Sequence, residues 1–212
     1  MKSLLRSIVF LAATTAACFG QQWEFGGLAG GSFVNSVNVS GPNASATAGF
    51  QSGAAFGGFV GFNQYKHIGG EIHYGYLQSD LSLKSGGQTA TFKGDSHVIH
   101  YDVIFKTTRA DGKVVLFAAA GGGVKIFRGT GSEAAYQPLS QYGYFTKTQA
   151  VKPMGSVGAG VKIGLSHRVF LRAEFRDYIT AFPTEIITPA PGMKYGSLLH
   201  DFVPMVGLGF QM

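Results

Sequence analysis

The sequence predicts an all-β fold, an eight-stranded antiparallel up-and-down barrel that crosses a membrane. Three observations predict it: the composition, eight segments of period-two alternation, and connections that alternate between long and short. Among 212 residues, 32 are glycine and only 13% are charged. Average usage is about 7% glycine and about 25% charged residues. Aromatic residues at 13% exclude a disordered chain, which is charge-rich and aromatic-poor. The glycines have no period of three, which excludes collagen. A helical bundle is disfavoured because each interior glycine costs about 1 kcal/mol relative to alanine.

Residues 1–20 have the pattern of an export signal. Met1-Lys2-Ser3-Leu4-Leu5-Arg6 is a basic start, and Ile8 to Ala17 is an apolar stretch too short to span as a helix. Cys18-Phe19-Gly20 puts small residues at the −3 and −1 positions, so cleavage is expected before Gln21. Thr15-Ala16-Ala17-Cys18 is a poor lipobox, because it lacks the usual aliphatic residue three places before the cysteine. Residues 21–212 then form one domain with no cysteine, which excludes a disulfide and a thiolate metal site. Without Lys2 and Arg6, 15 basic residues face 11 acidic ones, a net charge of +4. That excess is too small and too scattered to indicate nucleic acid.

Period-two reading gives strands at 23–34, 50–63, 68–81, 96–106, 114–127, 151–165, 169–179 and 201–212. In the third, Ile72, Tyr74 and Tyr76 alternate with Glu71, His73 and Gly75. In the fourth, Ile99, Tyr101, Val103 and Phe105 alternate with His100, Asp102, Ile104 and Lys106. The sixth sets Val157, Ala159, Val161 and Ile163 against Ser156, Gly158, Gly160 and Lys162. The seventh sets Leu171, Ala173 and Phe175 against Arg172, Glu174 and Arg176, and the eighth sets Val206, Leu208 and Phe210 against Gly207, Gly209 and Gln211.

One face of each strand is therefore large and apolar, and the other is glycine, serine and charge. An eight-stranded barrel has an interior only wide enough for side chains to fill. It cannot hold all the bulky apolar residues, so they face outward to lipid and the small or charged ones face inward. Glu71, His73, His100, Asp102, Lys125, Lys152, Lys162, Arg172, Glu174 and Arg176 then form a polar network in the lumen. Mutual pairing offsets the desolvation of such charges. The network reads as a plug; the alternative is a gated path for small polar solutes.

The connections 35–49, 82–95, 128–150 and 180–200 are long, and 64–67, 107–113 and 166–168 are short. This order puts both termini at the short-turn end, which is periplasmic in bacterial barrels. Tyr142, Tyr144 and Phe145 are expected in the aromatic girdle at the lipid headgroups, and Trp23 is expected as the periplasmic anchor. Pro153 and Pro204 fall within predicted strands, where a closed sheet has no free edge to accommodate them. They are expected at strand ends or bulges. Asn43-Ala44-Ser45 has the form of a glycosylation sequon but is uninformative in a bacterial export context.

Three stretches carry a family resemblance: Val124-Lys125-Ile126-Phe127-Arg128-Gly129, Leu171-Arg172-Ala173-Glu174-Phe175-Arg176-Asp177-Tyr178, and His200-Asp201-Phe202 with Gly207-Leu208-Gly209-Phe210. Through them the chain resembles, over 21–212, the small eight-stranded outer-membrane barrels of the OmpA-like and opacity-porin-like type. The resemblance implies a Gram-negative outer-membrane location, contact with outer-membrane lipid, and insertion by the barrel-assembly machinery. That machinery prefers a terminal aromatic, whereas this chain ends Phe210-Gln211-Met212.

Catalytic readings are weaker. The His-x-Ser arrangement of barrel deacylases does not occur, and His100 with Asp102 has only Ser156 as a candidate nucleophile. Zinc on Glu71, His73, His100 and Asp102 is disfavoured by the neighbouring lysines. The glycine runs at 121–123 and 158–160 precede no helix, so no dinucleotide cofactor is expected. The expected role is envelope structure or surface interaction through four loops, without catalysis or cofactor. The alternatives are a narrow channel and a soluble periplasmic ligand-binding barrel. The intact mass of the exported protein is expected to match a chain starting at Gln21; a mass that retains residues before Gln21 contradicts the cleavage site.

Overall fold

The computed structural model describes residues 22–42, 45–63, 65–107 and 113–212. The signal segment 1–20 with its cleavage site, Cys18, and Asn43 and Ala44 of the sequon lie outside the described residues. Among the described residues, fifteen strands follow in chain order: β1 Gln22–Val34, β2 Val37–Ser40, β3 Ala46–Phe50, β4 Gly53–Asn63, β5 Ile68–Gln78, β6 Leu81–Ser85, β7 Gln88–Phe92, β8 Gly94–Lys106, β9 Val114–Gly129, β10 Gly143–Phe145, β11 Gln149–Gly164, β12 Val169–Ala181, β13 Ile187–Pro189, β14 Lys194–Tyr195 and β15 Leu198–Gln211. Eight close into an antiparallel barrel in the order β1-β15-β12-β11-β9-β8-β5-β4. Each is one of the eight strands expected from alternation.

The faces also follow the alternation. Phe25, Phe56, Ile72, Tyr101, Leu116, Phe175, Val206 and Leu208 are exposed on the outer wall. Glu71, Asp102, Lys162, Arg172, Glu174 and Arg176 are buried inside. Apolar outside and polar inside is the arrangement of a barrel solvated by hydrocarbon. Closure satisfies the backbone groups that lipid cannot. Outward polar groups collect toward the long-loop end and pair there. The Arg128 guanidinium donates to both Asp95 oxygens at 2.6 and 2.9 Å, and the His200 ring lies 2.8 Å from Asp177.

Both prolines sit inside strands, and neither makes a bulge. Pro153 pairs with Val124 of β9 but lies just beyond the last pair of β11 with β12, Met154–Thr180. Pro204 pairs with Phe175 of β12. On its other side, the ladder to β1 holds Gly30–Met205 and Phe33–Phe202 in one constant register, and the two pairs between them are missing. The proline cannot donate a ladder bond, so the barrel closes around a local gap.

The long connections depart from the sequence reading, which treated them as plain loops. They fold into a five-stranded sheet, β14-β2-β3-β6-β7, and a two-stranded sheet, β10-β13. Phe50 and Leu81, assigned by the sequence reading to barrel strands, belong to β3 and β6 of this cap. The segments are short and each spans only two to five residues, too few for alternation to register. Their apolar residues meet across sheets. Ala48, Phe50, Leu81, Leu83, Phe127, Phe145, Phe182, Ile186, Ile187 and Leu199 form one core over the barrel mouth.

The girdle expectation fails for two of its three residues. Phe145 is buried in the cap core and stacks on Phe92 at 5.7 Å, and Tyr142 packs against the same core. Only Tyr144 is exposed, because β10 alternates and turns its middle residue out. Trp23 lies at the opposite rim, where its backbone exchanges bonds with Met212 and its ring packs near Phe62.

Inner glycines of β9 let β8 approach closely. A Cβ at Gly121 would meet the carbonyl oxygen of Tyr101 and, at 2.7 Å, the Cα of Asp102. Gly121→Val is therefore expected to lower the unfolding free energy of the detergent-refolded barrel by about 1–3 kcal/mol, the usual range for overpacking. Urea unfolding followed by heat-modifiable gel mobility measures it.

Candidate functional site: the lumen and the cap

Each interior charge comes from a strand whose opposite face meets lipid, so alternation alone aims it inward. In the barrel order, β12 and β5 lie four strands apart in either direction, on opposite walls. Arg172 of β12 donates from both terminal nitrogens to Glu71 of β5, at 2.9 and 2.7 Å, and so spans the lumen. Arg172 also donates through Nε to Glu174 at 2.8 Å. Arg176 reaches Glu174 at 3.3 Å and pairs with Asp102 of β8. Lys162 of β11 pairs with Glu24 of β1 and, at 3.2 Å, with Glu71. Bidentate guanidinium–carboxylate contacts are among the stronger charge-assisted hydrogen bonds.

The network continues to the short-turn end. Asn63 donates to Glu24 at 2.8 Å and accepts from Lys106 at 2.5 Å. Toward the cap, Lys125 reaches Asp201 at 2.5 Å, and Asp201 also accepts from Ser32 at 2.7 Å. Among the described residues, five buried carboxylates (Glu24, Glu71, Asp102, Glu174, Asp201) face five buried cations (Lys106, Lys125, Lys162, Arg172, Arg176). Such balance is what a buried interior requires, because an uncompensated charge there is far more costly than a paired one.

Of the ten lumen residues expected from sequence, nine are buried in the barrel. Lys152 is the exception. It lies at the mouth, where its ammonium meets Glu185 of the cap at 2.6 Å. That bond holds the Glu185 carboxyl below the usual carboxylate range. Lys152 faces inward as read, but its ammonium turns to Glu185 instead of joining the network. Its register partner Lys125 already occupies the place beside Asp201.

The interior also holds aromatics that the alternation reading missed. Phe59, Phe117 and Phe170 point inward and are buried. The Arg172 guanidinium lies 4.2 Å from the Phe59 ring centre and 4.6 Å from that of Phe117. Lys162 lies 5.5 Å from the Phe170 ring. A cation over a ring face is attracted most when desolvated, which favours these places. Reading for charge on the inner face passed over them. The sequence signal was available for two of them: Phe170 precedes Arg172 by two, and Phe117 lies on the Lys125 face, whereas the strand of Phe59 carries no charge to mark its inner side.

The candidate catalytic and metal groups are committed to the same network. His100 Nδ1 is 3.1 Å from Asp102, and its Nε2 is 3.3 Å from the Tyr178 hydroxyl. Ser156 donates to Asp102 at 3.5 Å and makes no bond to the imidazole. A nucleophile needs its base within reach, and here the hydroxyl faces the wrong partner. His73 lies 2.9 Å from Glu71 and stacks on His100 at 4.9 Å. Guanidinium groups occupy both carboxylates. Among the described residues, no three histidine, cysteine or acidic side chains are grouped as a metal would require.

At the mouth, the cap locks onto the barrel by more than apolar contact. Burial pushes the Tyr195 phenol up, so it stays a donor, and it bonds the Tyr142 carbonyl at 3.0 Å. The Phe182 and Tyr195 rings meet edge to face at 5.1 Å. Fold and site together define a membrane-type eight-stranded barrel with a filled lumen and a folded cap.

Comparison with known proteins agrees at the level of fold. No family model and no curated protein sequence matches the chain. Among solved structures, the chain is similar to the outer membrane protein OprG of Pseudomonas aeruginosa, at TM-score 0.60 and 12% identity, covering 92% of this chain and 96% of that one. It is also similar to Neisserial surface protein A, at TM-score 0.57 and 10% identity, covering 91% and 99%. At these identities the likeness establishes the small outer-membrane barrel fold that the sequence resemblance implied, and nothing narrower.

The network makes a stability prediction. Glu174→Ala leaves Arg172 and Arg176 short of one buried carboxylate and is expected to cost about 3–5 kcal/mol. Glu133→Ala, at an exposed carboxylate that accepts the Lys147 amide, is expected to cost less than about 1 kcal/mol. Urea unfolding of both refolded variants compares them, and equal midpoints would reject the paired-plug reading.

Proposed function

We propose that this chain is an integral outer-membrane barrel whose filled lumen supports a folded extracellular cap for surface interaction, without catalysis. One observation carries the reading. Arg172 and Arg176 are fully buried while tying opposite walls of the lumen together, and a second core covers the mouth. A conducting path needs water along the axis, whereas these side chains bond one another. A soluble ligand-binding barrel needs an apolar cavity and a polar wall, the reverse of this arrangement. The apolar outer wall supports contact with outer-membrane lipid, and the resemblance to small outer-membrane barrels supports insertion by the barrel-assembly machinery after removal of residues 1–20.

Orientation follows from the unequal ends. The short turns with both termini face the periplasm, and the cap faces outward. In planar bilayers the refolded protein is expected to give no steady unitary conductance; steady openings would favour the narrow channel. On intact cells, a membrane-impermeant amine reagent is expected to label Lys84 and Lys194 of the cap and to spare Lys66 of a short turn. The opposite pattern reverses the orientation.

A further inference from the structure

β7 is an edge strand of the cap and pairs only with β6 among the described residues. The β6–β7 turn decides which of its backbone groups remain unpaired. Gly86 and Gly87 take φ of 55° and 81°, the left-handed values of a two-residue type I′ hairpin. The pair flanking such a turn exchanges both ladder bonds, and bonded pairs alternate from there. Ser85–Gln88, Leu83–Ala90 and Leu81–Phe92 are therefore bonded to each other. The N–H and C=O groups of Thr89 and Thr91 point to the open edge.

Three of the usual protections are missing from this edge. Gln88–Phe92 contains no lysine, no proline and no bulge. Across from it runs the segment 132–138. It is pinned at one end where Thr130 and Gly131 donate to the Lys93 carbonyl, at 2.8 and 3.2 Å. At the other end the Gln137 amide exchanges bonds with the Phe145 backbone, at 2.9 and 2.8 Å. Between the segment and β7 lies a groove of about 330 Å³, with Thr89, Thr91, Phe92, Tyr136, Pro138 and Phe145 among its lining. Tyr136 is 79% exposed beside it.

We propose that this groove takes an extended, uncharged peptide segment of another molecule, which adds to β7 as a sixth strand of the cap sheet. The proposal deepens the surface-interaction reading above and rests on it for the direction the cap faces. Backbone pairing at Thr89 and Thr91 supplies the attachment, and alternate side chains enter the groove, as in strand addition elsewhere. No side chain lining the groove is charged, so it offers nothing to an anionic glycan, a nucleic acid or a phosphopeptide. A second copy is disfavoured as occupant. The β6–β7 hairpin prolongs β5 and β8, so two copies inserted in the same sense run their β7 strands parallel, and parallel pairing is the less stable ladder.

The test uses the full chain in nanodiscs as target for a random-heptapeptide phage library. Thr91→Pro removes the open-edge N–H without touching the ladder to β6, and Thr91→Ala keeps it. Peptides are expected to be enriched on the wild type and Thr91→Ala over Thr91→Pro. A synthetic fluorescein-labelled lead is expected to lose at least tenfold in affinity on Thr91→Pro, and likewise when its alternate amides are N-methylated. Tyr136→Ala, which leaves the sheet intact, is expected to weaken the lead at least threefold. No enrichment over Thr91→Pro, or a lead indifferent to N-methylation, overturns the proposal. A wild-type dimer that Thr91→Pro dissociates also overturns it, by making a second copy the occupant. Binding in nanodiscs does not depend on which way the cap faces on cells, so failure of the amine labelling overturns the orientation alone.

Discussion

The contact between Arg172 and Glu71 is the constraint around which the rest of the molecule is arranged. It joins opposite walls of the barrel through two hydrogen bonds between buried side chains. Lipid outside dictates a closed ladder and an apolar outer face; closure with eight strands leaves an interior just wide enough for side chains. Whatever fills it must be compact and, if charged, neutral in sum. The five carboxylates and five cations meet both demands. The aromatic rings of Phe59 and Phe117 lie beside the guanidinium, where smaller residues would leave a void. The inner glycines of β9 complete the fit, since larger residues would collide with the backbone of β8.

The rigid lumen has a counterpart in the cap. Wall strands that end at the membrane would leave the mouth open above Lys125 and Asp201. Instead the long connections cross it and share a core with Phe127 and Leu199, which belong to the barrel strands themselves. Barrel and cap are therefore one packed unit, joined by apolar residues, by the Lys152–Glu185 bond and by the Tyr195 phenol. A surface built this way presents fixed backbone, which suits recognition by geometry more than by flexible charged loops.

Most of the barrel was legible in the sequence, and the reasons are physical. A strand between lipid and a narrow lumen must alternate along its length, as β12 does over all 13 residues and β5 does from Glu71 to Gln78. Glu71, Arg172 and Glu174 could be assigned inward on that pattern alone. The pattern fixes direction but not the partner taken, which is why Lys152 was read with the network although it meets Glu185 at the mouth. Cap strands such as β2 and β10 are too short to show a period, so Tyr142 and Phe145 looked like interface aromatics. Their burial depends on contacts between segments far apart in the chain. The prolines misled in the other direction: a closed sheet tolerates Pro204 by omitting two pairs without shifting register.

That omission has a consequence for how the barrel is held shut. β1 and β15 are the first and last wall strands, so their ladder is the one that turns a sheet into a cylinder. Seven of its pairs run from Glu24 to Gly30, and beyond the gap come Phe33 and Val34 with one more backbone bond, from Asn35 to the His200 carbonyl. The cylinder is thus fastened along a long seam at the end bearing the termini and by a short clasp at the cap end. The Ser32 hydroxyl on Asp201, and Lys125 reaching across to the same carboxylate, reinforce the clasp from inside. A wall whose backbone stitching thins near one rim hands that stretch of its fastening to side chains.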